Sequence, residues 1–233
     1  MEKINLFASD PKYVTRLILV RHGRTGANKE SRISSEKDYS LDETGMDQAK
    51  KVAQRLKDFN ISALYASPIL RTKQTAEFVS KALDLKIEFK DDLKEYSFGS
   101  IADHTMEEVE EENKELYDKF IAWINMGQEQ TMQRIKIPGA ESMEDFEARI
   151  RRFTDEMLKK HPAQTVCAVT HMGLIKGFMA IYFGGGVQHR MSFNAYNTSL
   201  TIIDFYKQVP VLSAFNDMSH LNVPLPYGRV NMF

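Results

Sequence analysis

Two histidines in this chain are placed to do chemistry. His22 and His171 each close a run of largely aliphatic residues, and each is followed by a glycine within two positions, Gly23 and Gly173. A neutral imidazole, with an ordinary pKa of about 6.5, serves as a nucleophile near neutral pH. Two arginines join them: Arg21 directly precedes the first histidine, and Arg71 stands in Ser67-Pro68-Ile69-Leu70-Arg71-Thr72. Guanidinium forks match phosphoryl oxygens in pairs, and such charge-assisted bonds strengthen in a dry crevice. The ligand implied is a phosphoryl group. A lone histidine at a strand end is more often a satisfied polar residue, and a lone arginine is more often a surface ion pair; the conjunction is what favours chemistry. A metal site is the other use of two histidines, but no third ligand stands at compact spacing, and adjacent arginines repel a cation.

These residues need elements that bring them together. Arg16-Leu17-Ile18-Leu19-Val20 and Thr165-Val166-Cys167-Ala168-Val169-Thr170 are apolar runs too short for helices and read as buried strands; Ala63–Ala66 is a third. Ile87 and Phe89 suit another strand, and Leu200–Phe205 and Val211–Phe215 two final ones. Residues 42–59 are helical in pattern, with Met46, Ala49, Ala53 and Leu56 on one face. The stretch from Leu70 to Leu83 is a second helix. Ser142 with Asp145 caps a third, which buries Met143, Phe146, Ile150, Phe153 and Met157, and an apolar helix runs from Met172 to about Phe183. Strands alternating with helices predict an α/β fold, a three-layer α/β/α sandwich on a mostly parallel sheet. Ligands of such sheets lie beyond the carboxyl ends of the strands, where His22, Arg71 and His171 all fall.

The 233 residues are read as one domain, 1–233, with a helical insertion at about 103–135. That insertion is acidic (Glu107, Glu108, Glu110, Glu111, Glu112, Glu115, Asp118), with a weak apolar stripe of Val109, Leu116, Phe120 and Trp123. Net charge is −1, from 31 basic and 32 acidic side chains, which excludes a broad basic field for nucleic acid or anionic lipid. The single cysteine, Cys167, suits a reducing compartment. With no signal-peptide core at the start and no run long enough for a bilayer, a cytoplasmic protein is the expectation. Neither G-x-G-x-x-G after the first strand nor a P-loop lysine pattern is present.

Leu19-Val20-Arg21-His22-Gly23-Arg24-Thr25 resembles the signature of the histidine phosphatase superfamily, in the branch that contains cofactor-dependent phosphoglycerate mutases and related phosphatases. Asn28, Leu41-x-x-x-Gly45, Ser67-Pro68-x-x-Arg71-Thr72, Gln74-Thr75-Ala76, Leu93-x-Glu95 with Gly99, Gly139-x-Glu141-Ser142 and Thr170-His171-x-Gly173 match in order, over about residues 16 to 205. The resemblance implies a phosphoglycerate mutase-like fold and a phosphohistidine formed on His22. It implies that Arg21, Arg71 and His171 hold the nonbridging oxygens, that Asn28 hydrogen-bonds the phosphoryl group with help from Thr25, and that Glu95 is the general acid. Gly23 and Gly173 complete the expected substrate-binding positions. For Thr25 and Asn28 the competing use is loop capping. No metal or other cofactor is implied.

One departure matters. Many relatives carry an aromatic-Glu-Gly run shortly after the Gly99 position, whereas this chain has Ile101-Ala102-Asp103-His104, so Asp103 or His104 competes with Glu95 as proton donor. The expected reaction is hydrolysis of a small-molecule phosphate ester, with neither nucleic acid nor membrane as partner and a homodimer as a candidate assembly. A phosphoglycerate mutase is the rival enzyme. It needs extra cations, whereas carboxylates of the insertion, if they line the mouth, would repel polyanionic substrates. A catalytically silent phosphate-binding module is the non-enzymatic rival. Tyr117, Phe120 and Trp123 are candidates for touching the body of a substrate, although helix-packing aromatics are more often core.

Overall fold

In the computed structural model, which describes residues 11–125 and 137–222, the aliphatic runs form one six-stranded sheet. The strands are β1 (Val14–Arg21), β2 (Ile61–Ala66), β3 (Ile87–Phe89), β4 (Thr165–Thr170), β5 (Leu200–Tyr206) and β6 (Val209–Asp217), in the spatial order β3-β2-β4-β1-β5-β6. The first four run parallel; β5 and β6 are antiparallel to their neighbours. Period-two alternation divides the strand residues between two cores. Leu17, Leu19, Val166 and Ala168 pack with helices α6 (Met143–Lys160) and α7 (Met172–Phe183). Ile18, Val20, Cys167 and Val169 pack on the other face with α2 (Glu43–Arg55) and α3 (Leu70–Leu83). Both faces of β1 and β4 are thus covered, which is why their sequences are continuous aliphatic runs. The expected three-layer α/β/α architecture is what forms. Among the described residues no helix is long and apolar enough to cross a membrane.

Register sets the site. Arg21 pairs with Thr170 and Ala66 with Val169, so β1, β2 and β4 end at one level. His22 N donates to Thr170 O at 2.9 Å, and Ser67 N to Val169 O at 3.0 Å. The three segments carrying His22, Arg71 and His171 therefore leave the sheet side by side.

The insertion is helical, as α4 (Met106–Glu112) and α5 (Lys114–Asn125), while residues 126–136 and the side chain of Trp123 lie outside the described residues. Thr105 and Glu108 form a capping box at the start of α4. Among the described residues only Phe120 of the insertion lines the cavity beyond the strand ends, and several of the insertion's carboxylates are paired instead. Glu108 pairs with Arg32 at 2.8 Å, Glu112 with His104 at 3.1 Å, and Lys114 bridges Glu110 and Asp118. Each exposed pair contributes little stability. Phe120 and Val109 anchor the two helices on Ile33 and Ile101.

Candidate active site

His22 lies at the floor of a cavity with an empty volume, open to solvent, of about 640 Å³. Its Nδ1 is 2.7 Å from Gly23 O, and Arg71 Nε donates to its Nε2 at 3.1 Å. A carbonyl can only accept and a guanidinium can only donate, so the two contacts select one tautomer: hydrogen on Nδ1, lone pair on Nε2. Burial, and then Arg71 and Arg21, hold the pKa of His22 well below the ordinary value. The imidazole is neutral and its Nε2 lone pair faces a guanidinium.

Arg71 is locked from behind by the carbonyls of Lys37 (2.8 Å) and Ser35 (2.7 Å), and Arg21 by Ala195 O (2.7 Å). Burial pulls both guanidiniums down to about 10, against the attraction of Glu95, and leaves them charged at neutral pH. The His171 ring lies 5.3 Å from that of His22, at 61°, with Nε2 2.9 Å from Ser67 Oγ. It sits behind the cavity wall. Arg21 Nε and His171 Nδ1 are both buried without a hydrogen-bond partner. An unmet buried polar atom costs about 1–3 kcal/mol, so two beside one imidazole mark a place where a ligand's oxygens fit.

Burial of His22 and His171 has a measurable consequence. Both native pKa values are depressed, that of His171 by burial and then Arg71, so below about pH 6.5 the unfolded chain binds protons that the native chain does not. Stability therefore falls as pH drops from 6.5, with a slope that approaches about 1.4 kcal/mol per pH unit for each residue. Urea titrations at pH 6.5 and 5.5 are expected to differ by about 2 kcal/mol; equal midpoints would show that these imidazoles are not held neutral.

The remaining motif residues divide by role. Asn28 lines the cavity, and its Oδ1 accepts from Thr25 N (3.2 Å) and Asn197 Nδ2 (3.3 Å). Thr25 does not reach the cavity: it caps the short helix α1 (Gly26–Lys29), closing a capping box with Asn28. Gly23 is also off the wall. A side chain there would sit 2.5 Å from Gly45 O, so Gly23 permits close backbone contact. Gly173 lines the cavity, but its N–H goes to Glu95 Oε2 at 3.1 Å.

Glu95 is thus gripped at both oxygens, with Tyr96 N on Oε1 at 2.8 Å. Its loop is held by Arg149, which donates to the carbonyls of Asp92, Lys94 and Glu95 and pairs bidentately with Glu141 at 2.6 and 3.0 Å. The Gly139-x-Glu141 motif therefore positions Glu95 from a distance. The competing donors are engaged elsewhere: Asp103 takes the Tyr39 hydroxyl, and His104 bonds Ala102 O and Glu112. Among the described residues Glu95 is the carboxylate that lines the cavity.

A methyl group on Gly173 would lie 2.3 Å from Glu95 Oε1. Gly173→Ala is expected to displace the carboxylate and lower kcat about 100-fold, with a smaller loss of stability, about 1–3 kcal/mol, for the N–H groups left without their acceptor. Steady-state rates beside a melting curve check this; full activity would separate Glu95 from the chemistry.

Three cations of the wall escaped sequence reasoning: Arg32, Lys176 and Arg190. Lys176 had a signal, as the one charged residue in the apolar α7. Burial, with Arg21 second, pulls it down to about 8, and burial pulls Arg190 to about 10. Phe120 also reaches the cavity, from the insertion, whereas Tyr117 packs behind it.

The model of the histidine phosphatase superfamily (branch 1) matches residues 17–218. Phosphoserine phosphatase 1 of Hydrogenobacter thermophilus is 29% identical over 208 residues, 89% of this chain and 95% of the relative. The metal-independent phosphoserine phosphatase of Arabidopsis thaliana is 30% identical, over 90% of this chain and 84% of the relative. Among solved structures, a phosphoserine phosphatase of Entamoeba histolytica in complex with 3-phosphoglyceric acid superposes with a TM-score of 0.75 at 27% identity, covering 89% of this chain and 99% of that one.

Proposed function

We propose that this chain, which belongs to the histidine phosphatase superfamily (branch 1), hydrolyses phosphomonoesters through a phosphohistidine on His22. The names of its relatives support a phosphatase acting on a small phosphorylated metabolite. The observation that carries the finer reading is the neutral His22 tautomer, whose Nε2 lone pair meets Arg71 at 3.1 Å.

A phosphoryl group entering the floor takes over the Arg71 N–H and frees Nε2. The N–P bond forms in line as the ester P–O bond breaks. Arg21 Nε and Arg71 Nε meet the charge spread over the equatorial oxygens, where little covalent work is left to the protein. His171 joins them as donor when its Nε2 accepts a hydrogen bond from the Ser67 hydroxyl, which leaves the ring hydrogen on Nδ1. Glu95 protonates the departing oxygen. A water then enters, gives its proton to Glu95 and attacks phosphorus; the N–P bond breaks and orthophosphate leaves. Asn28, tied to the His22 carbonyl through Asn197, supports the floor.

The test is acid-sparing, rapid quench with radiolabelled p-nitrophenyl phosphate. Label bound to protein, labile to acid and stable to alkali, is expected at His22; turnover without such label would overturn the intermediate. Conversion of 3-phosphoglycerate to 2-phosphoglycerate, primed by bisphosphoglycerate, would replace hydrolysis by the mutase reading.

A further inference from the structure

We propose that Ser35 is a positioning residue: its carbonyl fixes the phosphoryl clamp and its hydroxyl fixes the loop of the proton donor, so that the two stay in register. This rests on the phosphatase reading with Glu95 as the acid.

Ser35 is buried and lines the cavity. It stands second in a tight turn that Lys37 N closes on Ser34 O at 2.9 Å, with φ 43°. That left-handed backbone suits glycine, asparagine or aspartate, and serine adopts it at a conformational cost. A buried side chain kept on such a backbone beside a reactive centre points to a compensating role.

Its contacts supply one. The Ser35 carbonyl accepts from Arg71 Nη2 at 2.7 Å. The hydroxyl donates to Tyr96 O at 3.3 Å and accepts from Phe98 N at 3.1 Å. Tyr96 N in turn holds Glu95 Oε1 at 2.8 Å. One residue therefore links the guanidinium that faces His22 to the segment that carries the carboxylate. The hydroxyl has a single proton, and Tyr96 O takes it. What it can still present to the cavity is a lone pair, which offers nothing to a phosphoryl oxygen. Ser35 thus acts through Arg71 and Glu95 rather than on the substrate.

The two halves it joins are each anchored on their own. On the clamp side, Lys37 O takes Arg71 Nη1 at 2.8 Å, and Asp38 Oδ1 accepts from Leu70 N at 2.8 Å where α3 begins. Ile33 exchanges backbone bonds with the base of the insertion, Ile33 N to His104 O at 2.9 Å and Asp103 N to Ile33 O at 2.7 Å. On the acid side, Arg149 holds the Glu95 loop against Glu141. Without the hydroxyl the halves can slide past one another, and a misplacement of about 1 Å costs about 100-fold in rate.

Ser35→Gly and Ser35→Ala both remove the hydroxyl and keep the carbonyl. Glycine also relaxes the backbone whereas alanine keeps its strain, so the pair brackets any effect of folding. For glycerol 3-phosphate, whose departing alkoxide needs a proton, kcat is expected to fall about 100-fold in both. The first turnover of p-nitrophenyl phosphate, whose phenolate needs none, should stay within about threefold of the wild type. Inhibition by inorganic phosphate should also hold within about threefold, because Arg71 keeps its carbonyl. In a Glu95→Gln background, Ser35→Gly should lower glycerol 3-phosphate turnover by less than about a further threefold, since both changes act on one step. Equal losses for the two esters, a loss in one variant only, full additivity in the double variant, or wild-type rates overturn the positioning role. Full activity of Glu95→Gln removes the acid, and Ser35's task with it, while leaving a phosphatase. Hydrolysis of neither ester by the wild type overturns the phosphatase reading itself.

Discussion

His22→Ala is expected to lower kcat/KM for any phosphomonoester by about 10⁵-fold, the scale seen when a nucleophile is removed from an otherwise intact site. The effect should fall on chemistry more than on binding. Arg71 remains clamped by the Ser35 and Lys37 carbonyls and Arg21 by Ala195 O, because none of these contacts passes through His22. Inorganic phosphate should therefore still protect the variant against thermal unfolding, with an apparent affinity within about tenfold of the wild type, since the charge-assisted bonds persist. The variant leaves Arg71 Nε without its acceptor, so a loss of stability of about 1–3 kcal/mol is expected beside the much larger loss of activity. Calorimetry with phosphate beside progress curves separates the two effects. Residual turnover within tenfold of the wild type would mean that phosphorus is attacked by water directly.

Much of this site was legible because the residues announce themselves one at a time. Aliphatic runs that end at Arg21-His22-Gly23 and at His171 reveal two buried strands and their carboxyl ends without reference to any neighbour, and the alternation with helices predicts the parallel core. What escaped reading depends on pairs. The charge of α4 and α5 looks like a repulsive rim until Arg32 is found on Glu108, 76 residues away in sequence. Arg149 looks like one more helix-surface arginine until it is seen to hold three carbonyls of the Glu95 loop together with Glu141. Thr25 shows the same point from the other side: its hydroxyl suits a phosphate oxygen or a helix cap, and only the backbone angle at Thr25, φ −121°, ψ 167°, decides for the cap. Arg190 gave no periodic signal at all, because it lies in a short 3-10 segment after Gly186.

Glu95→Gln is expected to divide the reaction in two. For an ester with a poor leaving group, such as an alkyl phosphate, loss of the proton donor should lower kcat about 10³-fold. For p-nitrophenyl phosphate the departing phenolate needs no proton, so the first step should survive; the second step still lacks the base that activates water. The expected trace is a burst of close to one equivalent of p-nitrophenolate per enzyme followed by slow turnover, with phosphohistidine accumulating in the quenched protein. The substitution is not sterically or electrostatically silent, since Tyr96 N and Gly173 N each donate to a carboxylate oxygen and an amide offers only one. Some stability, about 1–3 kcal/mol, should be lost for the N–H left facing an amine, but a misfolded or loosened site would lose the burst as well. Asp103→Asn is the matched control: Asp103 faces Tyr39 and Lys37 outside the cavity, so its amide should turn over both substrates at close to the wild-type rate. A burst in Asp103→Asn and none in Glu95→Gln would transfer the acid–base role to Asp103 and require the loop after Gly99 to move into the cavity during catalysis.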